Sequence, residues 1–246
     1  MLRVISLVPS WTETLIAGGI QLVGRSRYCV HPADGVEDIP IVAGTKDWDW
    51  PKIKSLEPDI LLLDREENAR FMAEQTEVPC HVTHVKSISD MAGVMTDLFA
   101  LLEVPALEDM ASRWQVVANR GMEPWQMPCP LPGLIEWGRE PVRPVERIIY
   151  LIWQQPWMAV SRDSFIGSLL ARLGVEIMTF EEKYSVIDLK NFDPETTLLL
   201  FSSEPYPFLR QKGQLALLDF PHAFVDGERI GWYGIRALRF LEAELA

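Results

Sequence analysis

The chain has 246 residues, 48% of them hydrophobic and 24% charged, which is the balance of a globular protein rather than a disordered or fibrous one. Its formal net charge of -12 leaves no positive footprint for nucleic acid or an anionic membrane surface. Apolar runs such as 59–64 and 197–201 have the length of strands and fall far short of a membrane span.

From the N-terminus the pattern predicts a strand over 3–7, a helix over 12–17 capped by Ser10 or Thr12, and a strand over 22–26, with Gly18-Gly19 stopping the helix. A second unit repeats the alternation: a short helix from Trp50 to Leu56, a buried strand over 60–63, a helix from Glu66 to Glu77, a strand over 81–85 and a helix from Ser89 to about Leu102. Repeated strand and helix imply a parallel α/β sheet. Residues 105–121 then place Leu107, Met110, Ala111, Trp114, Val117 and Ala118 at helical spacing with no strand on either side. Six prolines between 124 and 146 predict a linker or surface excursion. The alternation resumes with a strand over 147–152, a helix over 165–173 and strands over 198–201 and 223–225.

Cys29, Cys80 and Cys129 are odd in number, widely spaced and form no Cys-x-x-Cys pair, which fits a reducing compartment. No apolar leader precedes the first strand pattern. The sequence as written is therefore expected in the cytoplasm, and in the periplasm if Met1 replaced a signal peptide.

The strings Arg3-Val-Ile-Ser-Leu-Val-Pro-Ser-Trp-Thr-Glu-Thr14, Leu22-Val-Gly-Arg-Ser26, Leu56-Glu-Pro-Asp-Ile-Leu-Leu62 and Ser161-Arg-Asp-Ser-Phe-Ile166, in this order and spacing, resemble the class III solute-binding proteins. That group includes the vitamin B12-binding and siderophore-binding receptors of ABC importers. The chain is also similar to a signal-less branch of the superfamily through Cys29-Val-His-Pro32, Gly44-Thr-Lys46, Glu66-Glu-Asn68, Tyr150-Leu-Ile-Trp153, Ser202-Ser-Glu-Pro-Tyr-Pro207, Asp226-Gly-Glu228 and Trp232-Tyr-Gly234. The resemblance implies two α/β lobes with parallel-type sheets, 1–104 and 147–246, joined by a bridging helix over 105–123 and the Pro-rich linker over 124–146. It implies a cleft between lobes that holds a corrinoid or another metal chelate, with no cofactor required for the fold. By position it carries Tyr28 and Arg236 into the binding loops. It further implies a permease partner docked by an acidic residue on each lobe, but Pro51-Lys52 stands at the first such position and Asp188 near the second.

Several residues qualify as ligand contacts by their own chemistry, because each follows a predicted strand and such loops rim the binding crevice of an open α/β sheet. Trp232 and Tyr233, between Gly231 and Gly234, offer flat apolar faces with polar tips, against the alternative that they pack the edge of a lobe. Trp153 and Trp157 flank a strand end. Trp153 could instead be the last core residue, whereas Trp157, past Pro156 and before Met158, is the better cleft candidate. Arg162 and Arg236 suit a bidentate clamp on a carboxylate or phosphate, unless Asp226 or Glu228 takes them in salt bridges. Ser203 and Glu204 offer polar groups ahead of a proline turn, and Asp226 opens the last loop. Cys29 and His31, two apart, would share a strand face and could present a thiolate and an imidazole to a soft metal, although two ligands do not complete a site.

No Gly-x-Ser-x-Gly, Walker A, Gly-x-Gly-x-x-Gly or His-Glu-x-x-His signature occurs, so binding rather than catalysis is expected. The alternatives are a cytosolic metal-binding, sensor or partner protein of the same fold, and an enzyme using Cys29 and His31.

Overall fold

The computed structural model describes residues 2–44 and 46–246, so Thr45 of the Gly44–Lys46 string lies outside the described residues. The chain divides into two compact units. One gathers the residues up to Val85, Ser89–Gln115 and Tyr233–Leu238; the other gathers Lys86–Ile88, Val116–Trp232 and Arg239–Ala246. The expected lobes are continuous in sequence, whereas these units interleave, because the segment after Trp232 returns to the first.

The first unit is built from β1 (Val4–Ser6), α1 (Pro9–Ala17), β2 (Leu22–Ser26), α2 (Ala33–Val36), β3 (Ile41–Ala43), α3 (Trp50–Ser55), β4 (Ile60–Asp64), α4 (Phe71–Glu74), β5 (Cys80–Thr83) and α5 (Met91–Leu102). Its five strands are all parallel in the order β3-β2-β1-β4-β5. Parallel strands covered on both faces read as unbroken apolar runs, and every residue of β4, Ile-Leu-Leu-Leu-Asp, is buried. Ile5, Leu7, Val42, Ile53, Leu61 and Leu63 form the core on one side of this sheet. The winding reverses between β1 and β4, and such a reversal opens a crevice outside the carboxyl ends of the two strands.

The division between the units falls within α6 (Pro105–Ala118). Beyond it come β6 (Leu134–Arg139), β7 (Arg147–Trp153), β8 (Trp157–Val160), α7 (Phe165–Arg172), β9 (Tyr184–Ile187), β10 (Thr197–Ser202), α8 (Lys212–Leu215), β11 (His222–Val225) and α9 (Gly227–Gly231), and α10 (Ile235–Glu244) ends the chain. The second sheet has the order β6-β11-β10-β7-β8-β9. Its centre, β7 with β10 and β11, is parallel, while β6, β8 and β9 run antiparallel to their neighbours. Ile149, Leu151, Leu199, Phe201, Phe208 and Phe224 make its core. Here the winding reverses between β7 and β10.

Four local expectations change. The helix expected over 66–77 shrinks to α4, because Asp64 Oδ1 accepts from the Glu66 amide and Asn68 Oδ1 from the Asp64 amide, and these bonds hold 64–68 in a turn. The helix expected from Thr12 begins at Pro9 in the first turn, with neither Ser10 nor Thr12 as its cap; the Thr12 hydroxyl donates instead to Ser6 and Cys29. Within the Pro-rich segment, the proline-free run 134–139 supplies amides to an edge strand, β6, so 124–146 is not linker throughout. The antiparallel strands β8 and β9 were not predicted at all. Among the described residues, no helix is long and apolar enough to cross a membrane.

Candidate ligand-binding loops

In the second unit, the reversal between β7 and β10 brings Trp153 at the end of one strand near Ser202 and Ser203 at the end of the other. Trp153 is 43% exposed although it ends a strand whose residues 148–151 are buried. It stands edge-on to Tyr206, with ring centroids 5.2 Å apart and planes at 70°, and the Tyr206 hydroxyl donates to Gln154 Oε1 at 3.4 Å. An aromatic pair with one polar tip fixed and its faces partly wet is suited to stacking against a flat apolar ligand.

The polar part of this rim is set by close backbone approach. The Gly227 amide donates to Ser203 Oγ at 2.9 Å, and a Cβ on Gly227 would overlap Ser202 Oγ and press on Glu204. Only glycine therefore lets the β10 loop lie against the start of α9. Asp226 caps that helix by accepting from the Arg229 amide at 3.0 Å and pairs with the Arg229 guanidinium at 3.1 Å. Beneath the rim, Tyr150 is fully buried and its hydroxyl donates to Ser202 Oγ at 3.0 Å. Burial first, and then the carboxylates of Glu204 and Asp226, hold its pKa well above the usual tyrosine value.

In the first unit the reversal between β1 and β4 presents Glu66 and Glu67, with His84 beyond β5 at 3.3 Å from Glu66 Oε1. Asp64 lies beneath them, 2% exposed, accepting from Thr83 Oγ1 at 2.7 Å while Thr83 accepts from the Trp11 indole at 2.8 Å. Glu67 reaches solvent yet is hemmed in by protein, and that partial burial, with Asp64 and Glu66 nearby, pushes its carboxyl pKa up. Tyr28 follows β2 and is 51% exposed.

The other expected contacts are placed differently. Tyr233 is 8% exposed and packs its ring 4.9 Å from Trp11, so it serves the core of the first unit rather than a ligand face. Trp232, half-buried, precedes it. Glu13 holds Arg236 through two bonds of 2.8 and 3.0 Å. Arg162 follows β8, which runs opposite to β7, and so lies at the other end of the sheet from Trp153; it pairs with Glu176 at 2.8 Å beside a cavity of about 610 Å³ that Lys86 and Arg172 also line. Trp157 stacks on Phe208 with planes 10° apart and joins the core. Cys29 is buried, receives the Thr12 hydroxyl at 2.9 Å and sits 3.1 Å from Ser26 Oγ; burial raises its thiol pKa, so it is not offered as a thiolate ligand beside His31. Among the described residues, no group of three or more His, Cys, Asp or Glu side chains is arranged to hold a metal ion.

Trp153, Ser203, Glu204 and Asp226 thus gather at one strand-end rim, and Tyr28 at another. Tyr206 and Gln154 were missed. The signal for Tyr206 was present, an aromatic between two prolines directly after a strand, but its partner Trp153 lies 53 positions earlier in the sequence.

No protein-family model matches the chain, and no curated protein does. Solved structures do. The periplasmic vitamin B12-binding protein of Vibrio cholerae is 19% identical with a TM-score of 0.67, covering 99% of this chain and 94% of that one. IsdE of S. aureus, complexed with heme, is 14% identical with a TM-score of 0.71, covering 99% and 97%. A periplasmic heme-binding protein of Pseudomonas aeruginosa is 18% identical with a TM-score of 0.69, covering 100% and 91%. The chain has the fold of the class III periplasmic binding proteins.

Proposed function

We propose that this chain is a binding protein, not an enzyme, and that its ligand is a corrinoid or another metal chelate held by the loops at the carboxyl ends of its strands. The observation that carries the reading is the partly exposed Trp153–Tyr206 pair at the reversal between β7 and β10, bordered by Ser203 and Glu204. A metal macrocycle is a wide, flat, apolar disc with polar groups at its edge, and this rim offers an aromatic platform with polar groups beside it. The solved structures of the same fold include binders of vitamin B12 and of heme.

Delivery to a permease is the coarser part of the same reading. A carrier or sensor that works without one is favoured by Pro51 and Lys52, which are exposed at the start of α3 where an acidic docking residue was expected. Asp188, near the other expected position, is engaged in accepting from the Lys190 amide at 3.0 Å.

The test is a tryptophan-fluorescence titration with cobalamin, cobinamide and hemin, corrected for ligand absorbance. Saturable quenching at micromolar or lower concentration by one of them, lost in Trp153→Ala, is the expected result. Absence of a saturable response to all three overturns the reading.

A further inference from the structure

We infer that the free edge of β5, with the groove beside it, docks an extended peptide segment that ends in a free carboxylate. The inference is independent of the loops proposed to hold the ligand. The Leu61 amide donates to the Pro79 carbonyl and the Arg65 amide to the Thr83 carbonyl, both at 2.9 Å. Alternate residues of a strand turn their amides and carbonyls to opposite sides, so Pro79, His81 and Thr83 serve β4 while Cys80 and Val82 present theirs outward. β5 stands last in the sheet order, and an unpaired row of this kind is a template for a further strand. Beside it lies a groove of about 480 Å³, lined by Leu63 and Val82 of the sheet and by Ala69 and Ala73. The groove stays open because the turn at 64–68 leaves α4 only four residues long, and the two alanines are too small to fill it. Val82, opposite Leu63 in the ladder, is 45% exposed there.

Charge identifies the occupant. The charged residues that line the groove are Asp64, Arg65, Arg70 and Glu74. Asp64 is engaged by the Thr83 hydroxyl and the Glu66 amide, and Arg70 by Glu74. Among the described residues, no ion pair or side-chain hydrogen bond engages the exposed Arg65. A guanidinium in that state is a two-pronged donor for a carboxylate. Because the Arg65 amide bonds Thr83, Arg65 stands at the carboxyl end of β5. A segment that enters as a sixth parallel strand brings its own carboxyl terminus to that end. Its backbone then meets Cys80 and Val82, and apolar side chains at alternate positions enter the groove. A second copy of the chain is disfavoured. Two chains of net charge -12 repel, and the paired edges of a two-fold dimer run antiparallel, with no chain terminus to meet Arg65.

The probes are fluorescein-labelled pentapeptides, Lys-Ser-Val-Thr followed by Val, Leu, Ile or Phe, each made as the free acid and as the carboxamide. Fluorescence anisotropy follows their titration with the full chain and with Arg65→Gln, Val82→Pro and Lys52→Gln, the last removing a positive charge from an exposed residue outside the groove. Val82→Pro deletes an outward amide that β4 does not use, a change an edge strand tolerates. Thermal melting verifies the folding of each variant, and Arg65, being exposed, remains a test whether or not the proline is accepted. At least one free acid is expected to bind saturably in the micromolar range and at least fivefold more tightly than its carboxamide. Arg65→Gln should abolish that preference while weakening the carboxamide less than twofold, and Lys52→Gln should preserve it. Val82→Pro should weaken both forms at least fivefold. Equal binding of acid and carboxamide, a preference that Arg65→Gln leaves intact, binding that a folded Val82→Pro leaves unchanged, or no saturable binding by any of the acids overturns the inference. Sedimentation velocity without peptide covers the other occupant: a dimer of the full chain that Val82→Pro dissociates assigns the edge to a second copy and overturns the inference as well.

Discussion

Arg236 and Glu13 form a two-bond ion pair, Nε to Oε2 at 2.8 Å and a second guanidinium nitrogen to Oε1 at 3.0 Å, with side chains only 19% and 13% exposed. The pair fastens the start of α10 to α1, elements at opposite ends of the sequence. Neighbouring contacts do the same work: the Ile235 amide donates to Thr14 Oγ1 at 2.9 Å, and Tyr233 packs on Trp11. Residues 233–236 are therefore a structural clasp within the first unit.

Replacing Glu13 by Gln takes the Glu13 counter-charge away from a largely buried guanidinium. Removing one partner of a buried pair costs about 3 to 5 kcal/mol, and the residual exposure here points to the lower end, about 3 kcal/mol. Urea denaturation should show that loss. Affinity for the ligand, measured well below the denaturation midpoint, should change less than twofold, since Arg236 is bound to Glu13 and not held ready for an anion.

Gly234 is required by the same clasp. Its φ is +88°, in the left-handed region, and a Cβ there would overlap Thr14 Oγ1, the atom that accepts from Ile235. Gly234→Ala combines backbone strain with the loss of that bond and should destabilise the protein by about 2 to 4 kcal/mol in chemical denaturation. Restoring space with Thr14→Ser in the double variant should recover little, because the hydroxyl itself is the obstacle.

Gly227→Ala separates the rim from the rest of the molecule. The added methyl would meet Ser202 Oγ and the Glu204 backbone, so the loop after β10 has to move away from α9. Local overpacking of this kind costs about 1 to 3 kcal/mol. Ligand affinity should fall more than tenfold, since Ser203 and Glu204 shift together, and Trp153 fluorescence should report an altered environment even without ligand.

Sequence reading succeeded where the signal was local and failed where it was not. The apolar run of β4 and the strand at Leu22–Ser26 were legible because burial on both faces leaves no alternation to misread. The strand β6 was hidden because the prolines around it outweigh six permissive residues in any window average. Trp157 looked like a rim residue because it follows a proline, but Phe201 and Phe208 are brought beneath it by strand pairing that the sequence does not display. Arg236 was read as a clamp with Asp226 or Glu228 as rivals for it, and a partner the reading did not foresee, Glu13, lies 223 positions away. Chemistry was readable residue by residue; partnership across the chain was not.

His222 makes stability depend on pH. It is 1% exposed in β11, its ring edge-on to Phe201 and Phe224 at 5.6 and 5.9 Å, and its Nδ1 bonds the Phe220 carbonyl at 2.9 Å. A carbonyl can only accept, so Nδ1 carries the proton of the neutral ring. The other face of the ring occupies the space a side chain on Gly138 would take. Burial foremost, and the nearby Arg139 in addition, disfavour the imidazolium and hold the His222 pKa below 6.5. The unfolded chain therefore binds a proton more readily than the folded one. This contribution to stability is fully present above pH 6.5 and is lost as pH falls from there through the folded pKa. Urea midpoints measured at pH 7.5, 6.5 and 5.5 should decline across the last interval. In His222→Phe, which keeps an aromatic ring against Phe201 and Phe224 but cannot titrate, the decline should be smaller, and the difference between the two proteins isolates this group from the carboxylates that titrate lower. An identical decline in both would show that His222 is not the group responsible.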